Sequence, residues 1–127
     1  MSAPIVFFDI AGPDVGQLAA FYSAVFGWKT SPGPFPGTIN IDPFPVRSPL
    51  PGTFRQDVAG AGPTMPGIIY VGVPDVAATL TAIVAHGGQV HAPRFEVPGV
   101  VVLGLFRDPA GSPMGLVEMD GDQLKVP

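Results

Sequence analysis

Ile68–Asp75 reads IIYVGVPD, and Phe7–Asp14 reads FFDIAGPD. In each copy a short apolar run meets Pro-Asp-Val, and an amphipathic helical pattern follows. The two Pro-Asp pairs, at 13–14 and 74–75, lie 61 residues apart, so the chain divides into similar halves, and a repeat of that length governs the reading of every other element. A chain of 127 residues suffices for one domain but not for two independent ones. The halves are therefore expected to be two modules of a single domain.

Working outward from the first copy, Pro4–Ile10 is an apolar run suited to a strand. It alternates Val6, Phe8 and Ile10 on one face with Ile5, Phe7 and Asp9 on the other. Gly12-Pro13 ends it, and Asp14 is an N-cap with Gln17 three residues on. The helix that follows carries Val15, Leu18, Tyr22, Val25 and Phe26 as its inward stripe and stops at Gly27. Beyond Trp28 the prolines of SPGPFPG and DPFPVRSPLPG exclude central strands. Two short strands are expected there, Thr38–Asp42 and Thr53–Val58. Residues 59–66, AGAGPTMP, read as a linker, and their GAG triplet follows no strand and runs into Pro63, which argues against a dinucleotide loop.

The second copy starts with strand Ile68–Val73 and N-cap Asp75. A helix with Val76, Leu80, Ile83 and Val84 inward then closes at Gly87-Gly88. Strands Gln89–Ala92, Val100–Arg107 and Pro113–Met119 follow, with a turn at Asp108–Gly111 between the last two. The order is βαβββ twice, an α+β chain with module one at about 1–58, the linker 59–66 and module two at 67–127.

Hydrophobic residues make up 46% of the chain and charged ones 13%, a globular balance. A net charge of −4 with only six scattered Lys and Arg leaves no basic stripe for nucleic acid. The absence of cysteine removes disulfides, thiolate zinc sites and cysteine nucleophiles. No signal-peptide pattern opens the chain, and runs such as Val100–Phe106 fall well short of the ~20 residues that span a bilayer. A soluble, cytoplasmic protein is expected, with neither nucleic acid nor membrane as partner.

FFDIAGPDVGQLAAFYSAVFGW at Phe7–Trp28, IIYVGVPDV at Ile68–Val76, HGGQV at His86–Val90 and FRDPAGSPMGLVE at Phe106–Glu118 together resemble the vicinal oxygen chelate superfamily, which includes glyoxalase I, bleomycin-resistance proteins and extradiol dioxygenases. The resemblance implies that each βαβββ module wraps into a half-barrel of one curved mixed sheet around a cavity, with helices outside. It also implies a divalent metal held by His, Gln and Glu. The corresponding positions here are Phe7, Ile68 and Gly115, none of which can ligate. Only two histidines exist; His86 suits a helix C-terminus, and His91 lies on the following strand.

Alternation puts Asp9 on the face of Phe7 and Tyr70 on the face of Ile68, the faces expected to line the cavity, and the resemblance adds Gly115 as its last-strand ligand position. Asp9, a carboxylate within an apolar strand, needs a partner among Arg47, Arg55 and Arg94. Tyr70 offers a ring and a hydroxyl. Trp28, Phe35, Phe44, Phe54, Phe95 and Phe106 add aromatic surface suited to a lid or a dimer contact, with Phe54 counted among the ligand-lining residues. Glu96 and Glu118 read as solvated strand ends. The expectation is a metal-free binder of an apolar or aromatic small molecule, forming a homodimer through strand edges. The alternatives are a lyase, isomerase or dioxygenase, using either a displaced metal site (His91, Asp9, Glu118) or Asp9 and Tyr70 as acid and base, and an accessory subunit with a vestigial cavity.

Overall fold

The computed structural model describes residues 3–44, 46, 50–56 and 67–127. The expected linker 59–66, Arg47 and the end of the expected strand Thr53–Val58 lie outside the described residues. The elements run β1 (Ile5–Gly12), α1 (Val15–Phe26), β2 (Thr30–Pro32), β3 (Thr38–Ile41), β4 (Gly52–Gln56), β5 (Gly67–Val73), α2 (Val76–Ala85), β6 (Gln89–Val97), β7 (Val101–Arg107), β8 (Pro113–Asp120) and β9 (Gln123–Leu124). The chain is thus α+β, with βαβββ twice and a short ninth strand.

Two compact units result, Phe7–Ile68 and Met1–Val6 with Ile69–Pro127. In the first, β1 pairs with β4 in parallel, β4 with β3 and β3 with β2 in antiparallel fashion. In the second, β5 pairs with β8 in parallel, and β8–β7, β7–β6 and β8–β9 are antiparallel. The start of the chain joins this second unit, where the Pro4 carbonyl accepts from the Gly72 N–H at 2.9 Å.

Both helices begin where the repeat places them. The carboxylates of Asp14 and Asp75 accept from the Gln17 and Ala78 N–H groups at 3.0 and 2.9 Å, satisfying donors that the first helical turn leaves open. Gly27, at φ 70°, ends α1 in the left-handed conformation that favours glycine. A second device holds each helix start against its module's last long strand. Gln56 Oε1 accepts from the Val15 N–H at 2.9 Å, and Glu118 Oε1 accepts from the Val76 N–H at 2.9 Å.

The core of the first unit comprises Ala19, Ile41 and Phe54, with Phe8, Ile10, Val15, Leu18, Tyr22, Trp28 and Phe44 against them. Tyr22 and Trp28 stack at 4.8 Å, and Phe44 meets Trp28 edge-on at 5.2 Å. Trp28, Phe44 and Phe54 are therefore core residues, not lid or ligand surface. The second unit packs Val73, Val76, Leu80 and Leu116 with Val71, Ile83 and Phe106, which also takes Phe106 from the expected aromatic surface. At Gly104 an added Cβ would lie 2.7 Å from Val76 Cγ1, so α2 sits closer to β7 than a side chain there would allow.

Several expected details change. Val25, Phe26 and Val84 are more than half exposed; the buried stripes are narrower than an apolar count suggests, because both helices are apolar on their outer faces too. The strand β2 went unread because its three residues end in Pro32, a residue tolerated at an edge. The strand β6 extends past the expected Ala92 through Pro93, with register shifts on both sides of Ala92. These shifts and Pro93, which has no N–H to donate, blunt β6 as an edge for pairing two copies. No helix among the described residues is long and apolar enough to cross a membrane.

Glu118 is the largest departure. It is 4% exposed rather than solvated. Arg94 reaches its two oxygens at 3.3 and 3.1 Å, and Lys125 Nζ lies 3.3 Å away. Arg94 also pairs with the exposed Glu96 at 3.2 Å. The hydrogen bonds from Arg94, joined by those from the Val76 N–H and Lys125, hold the Glu118 carboxyl down at about 2 despite its burial.

Two consequences can be measured by urea unfolding. Phe54→Ala should cost about 3–5 kcal/mol through loss of the fully buried ring. Glu118→Gln, which removes the buried charge that Arg94, Lys125 and the Val76 N–H hold, should cost about 1–3 kcal/mol at pH 7. A folded-state value below the unfolded one gives stability that is complete above about pH 4.5 and lost as pH falls toward 2. The gap between the wild type and Glu118→Gln should therefore shrink across that window, and an unchanged gap at pH 2.5 contradicts the assignment.

Candidate ligand-binding site

In the first unit Phe8 and Ile10 pack on α1, so alternation turns Phe7 and Asp9 to the opposite face of β1. The same rule applied to β4, where Phe54 is in the core, sends Thr53 and Arg55 to that face. On β3, Ile39 and Ile41 belong to the core and Asn40 turns away. Registers Asp9↔Thr53, Ala11↔Arg55 and Asn40↔Thr53 bring these side chains side by side. Four residues scattered over positions 9–55, Asp9, Asn40, Thr53 and Arg55, thus form one polar strip beside Phe7.

Asp9 is buried at 3% exposure, and its Oδ2 lies 3.0 Å from Arg55 Nε. Of the two candidate partners among the described residues, Arg55 and Arg94, it is Arg55 that meets Asp9. The two ends of the pair differ, since the Asp9 side chain is 1% exposed and that of Arg55 is 25% exposed. The carboxylate is the more deeply buried of the two partners. Thr53 Oγ1 lies 3.0 Å from the Ile39 carbonyl, the nearer acceptor for its one O–H, and 3.3 Å from Asn40 Oδ1. Beside the strip a pocket of about 230 Å³ is lined by Phe7, Ser31, Asn40, Asp42, Pro51 and Gly52, among others. Asn40, Ser31 and Asp42 had drawn no attention in the sequence. The alternation on β4 would have pointed to Thr53 and Arg55, had the register been known.

The residues expected on the second module are less open. Ile68 and Tyr70 are 4% and 6% exposed, and Tyr70 stands in register with the buried Gly115. His86 ends α2, with Nδ1 2.8 Å from the Ala82 carbonyl, and His91 is exposed on β6. A larger open groove of about 490 Å³ lies along α2, lined by Ala77, Leu80, Thr81, Val84, Val90 and Arg94, among others. Its lining is mostly aliphatic, with Thr81 and Arg94 as the polar side chains, so it offers few converging groups to orient a ligand. The strip on the first unit is the better candidate.

The side chains present do not fit the metal that the resemblance implies. Phe7, Ile68 and Gly115 carry no donor. The two buried carboxylates, Asp9 and Glu118, each face an arginine, and a cation beside a carboxylate opposes the approach of another. Among the described residues no three His, Asp or Glu side chains converge.

The profile of the family described as "Glyoxalase-like domain" matches residues 5–117. The CFP32 proteins of Mycobacterium tuberculosis and Mycobacterium bovis, which carry the name glyoxylase, are 30% identical over 118 residues, covering 85% of this chain. The chain spans 42% of the length of those relatives. Among solved structures, a hypothetical protein from Bacillus halodurans C-125 aligns with a TM-score of 0.66 at 14% identity, over 98% of this chain and 99% of the other. A methylmalonyl-CoA epimerase of Streptomyces coelicolor in complex with 2-nitronate-propionyl-CoA aligns with a TM-score of 0.63 at 16% identity, over the whole of both chains. A glyoxalase/bleomycin resistance protein/dioxygenase superfamily member from Vibrio splendidus 12B01 gives 0.61 at 9%, over 93% and 100%. At these identities the structural likeness carries the fold, while the profile and the mycobacterial relatives carry kinship. The chain belongs to the glyoxalase-like domain family, within the vicinal oxygen chelate superfamily.

Proposed function

We propose that this protein binds a small organic molecule with an apolar or aromatic body, without a divalent metal, on the strip formed by Phe7, Asn40, Thr53 and Arg55. The observation that carries this reading is the Phe7- and Asn40-lined pocket, on the strand face that also carries the Asp9–Arg55 pair. A ligand site typically combines an apolar wall with a few fixed polar groups, and here Phe7 is the wall while Asn40 and Arg55 are held by their neighbours. The pocket is smaller than the ~300–1,000 Å³ of drug-sized sites, which favours a compact metabolite-like group over an extended cofactor.

Binding suits these residues better than acid-base catalysis does. A general base must reach the proton it removes, whereas the Asp9 side chain is 1% exposed and lies against Arg55. The displaced metal set of His91, Asp9 and Glu118 meets the same difficulty, since Glu118 is bound by Val76, Arg94 and Lys125. Family membership keeps lyase and dioxygenase chemistry in view as a class, but fold does not transmit chemistry.

Calorimetric titration of the folded protein with compact aromatic compounds should give saturable binding. Asn40→Ala should weaken it by about 2–10-fold, the range for one hydrogen bond. Absence of binding across such a panel contradicts the reading. Elemental analysis after purification without chelators should find less than one metal per chain, and stoichiometric Zn, Ni, Fe or Mn would overturn the metal-free part.

A further inference from the structure

We infer that Asp42 is the anionic anchor of the first-module pocket and that the ligand group it receives is a protonated amine. This inference rests on the reading above and adds to it the charge and orientation of the ligand. The pocket lining combines the apolar Phe7, Pro43 and Pro51 with the polar Ser31, Asn40 and Asp42. Ser31 and Asn40 stand in register on neighbouring strands. The Asp42 N–H donates to the Lys29 carbonyl at 2.7 Å, which continues the ladder of β2 and β3 by one pair. Alternation therefore holds, and Asp42 shares the face of Asn40, two residues before it.

The fold makes little use of these three side chains. Among the described residues the Asp42 carboxylate meets no donor and no cation, and neither the Ser31 hydroxyl nor the Asn40 NH2 group meets an acceptor. The other described acidic residues have different settings. Asp14 and Asp75 cap helices, Asp108 accepts from the Ala110 and Ser112 N–H groups, and Asp9, Glu96 and Glu118 each face an arginine. Asp120 and Asp122 are exposed near the end of the chain. Of the described acids, Asp42 is the one that lines either of the two pockets.

The sign of the ligand follows from this placement. On the same face Asp9 and Arg55 match each other, so the Asp42 charge sets the field of the pocket, on a chain whose net charge is −4. Lys29 is exposed, and among the described residues no ion pair joins it to Asp42. One carboxylate with an amide and a hydroxyl falls short of the oxygen shell that a divalent metal requires. The same set suits an ammonium, whose three N–H donors need acceptors of this kind. The charged end of the ligand goes to Asp42, and its uncharged body lies along Phe7 and Pro51. The ligand class is a small primary amine with an aromatic or apolar body.

The test is a comparison of benzylamine with benzyl alcohol, by calorimetry on the whole chain at pH 7 and low salt. The amine is protonated there, as alkyl amines are, and the alcohol has nearly the same shape without the charge. The wild type should bind benzylamine about three- to tenfold more tightly, the range for a charge-assisted contact at a partly exposed site. Asp42→Asn, which keeps the shape and removes the charge, should bring the two affinities together. Equal affinities in the wild type overturn the inference and leave small-molecule binding standing. So does a preference that survives Asp42→Asn, which would then report the net charge of the chain rather than this pocket. Binding of neither probe by the folded protein overturns both readings. If Asp42→Asn fails to fold, Asp42→Ser gives the same readout, and a wild-type ratio near one still counts against the anchor.

Discussion

A carboxylate taken out of water must be matched by a cation, and among the described residues that demand is met once in each module. Asp9 is matched by Arg55, and Glu118 by Arg94 with Lys125. The two pairs serve different ends. Glu118 is turned to the start of α2, where it accepts from the Val76 N–H and ties that helix to β8. In the first module the same tie is made by the neutral Gln56, and the buried charge sits instead on the face away from α1. The repeat therefore preserves the backbone plan while placing the buried charge differently in the two modules.

Corresponding positions sharpen the contrast. With the 61-residue offset, Asp9 corresponds to Tyr70 and Phe7 to Ile68. The first module keeps a charge where the second keeps a ring that is 6% exposed beside Gly115. Divergence of this kind separates fold from chemistry. The βαβββ plan depends on apolar alternation, the two aspartate caps and the turn glycines, all of which tolerate changes on the strand faces. On the first module the strand face away from α1 carries aromatic, amide and guanidinium groups, Phe7, Asn40 and Arg55, rather than imidazoles.

Much of the fold was legible because its signals are local. Asp14, Gly27 and Asp75 mark helix ends through groups within a few residues, and the Asp108 turn closes on its own backbone, with Gly111 donating to the Asp108 carbonyl at 2.8 Å. What was not legible depended on distant partners. Phe54 looked like spare aromatic surface until its register with Ile10 put it in the core. Glu118 looked solvated because Arg94 and the start of α2 are remote in sequence. Asp9 was conspicuous from the outset as a charge in an apolar run, but which of three arginines would meet it depended on the parallel pairing of β1 with β4. Local propensity says nothing about that pairing. Asn40 and Thr53 were missed for the same reason.

The measurement that bears most directly on the central claim is a nitrogen-15 NMR titration with benzylamine, following backbone amides and the asparagine side-chain amide signals together. The account predicts that the largest shifts fall on Phe7, Ser31, Asp42 and the Asn40 side-chain amide. The amides of Leu80, Val84 and Val90 along the α2 groove should stay where they are. Shifts concentrated in that groove, or an Asn40 side-chain signal that does not move as the backbone amides saturate, would contradict it.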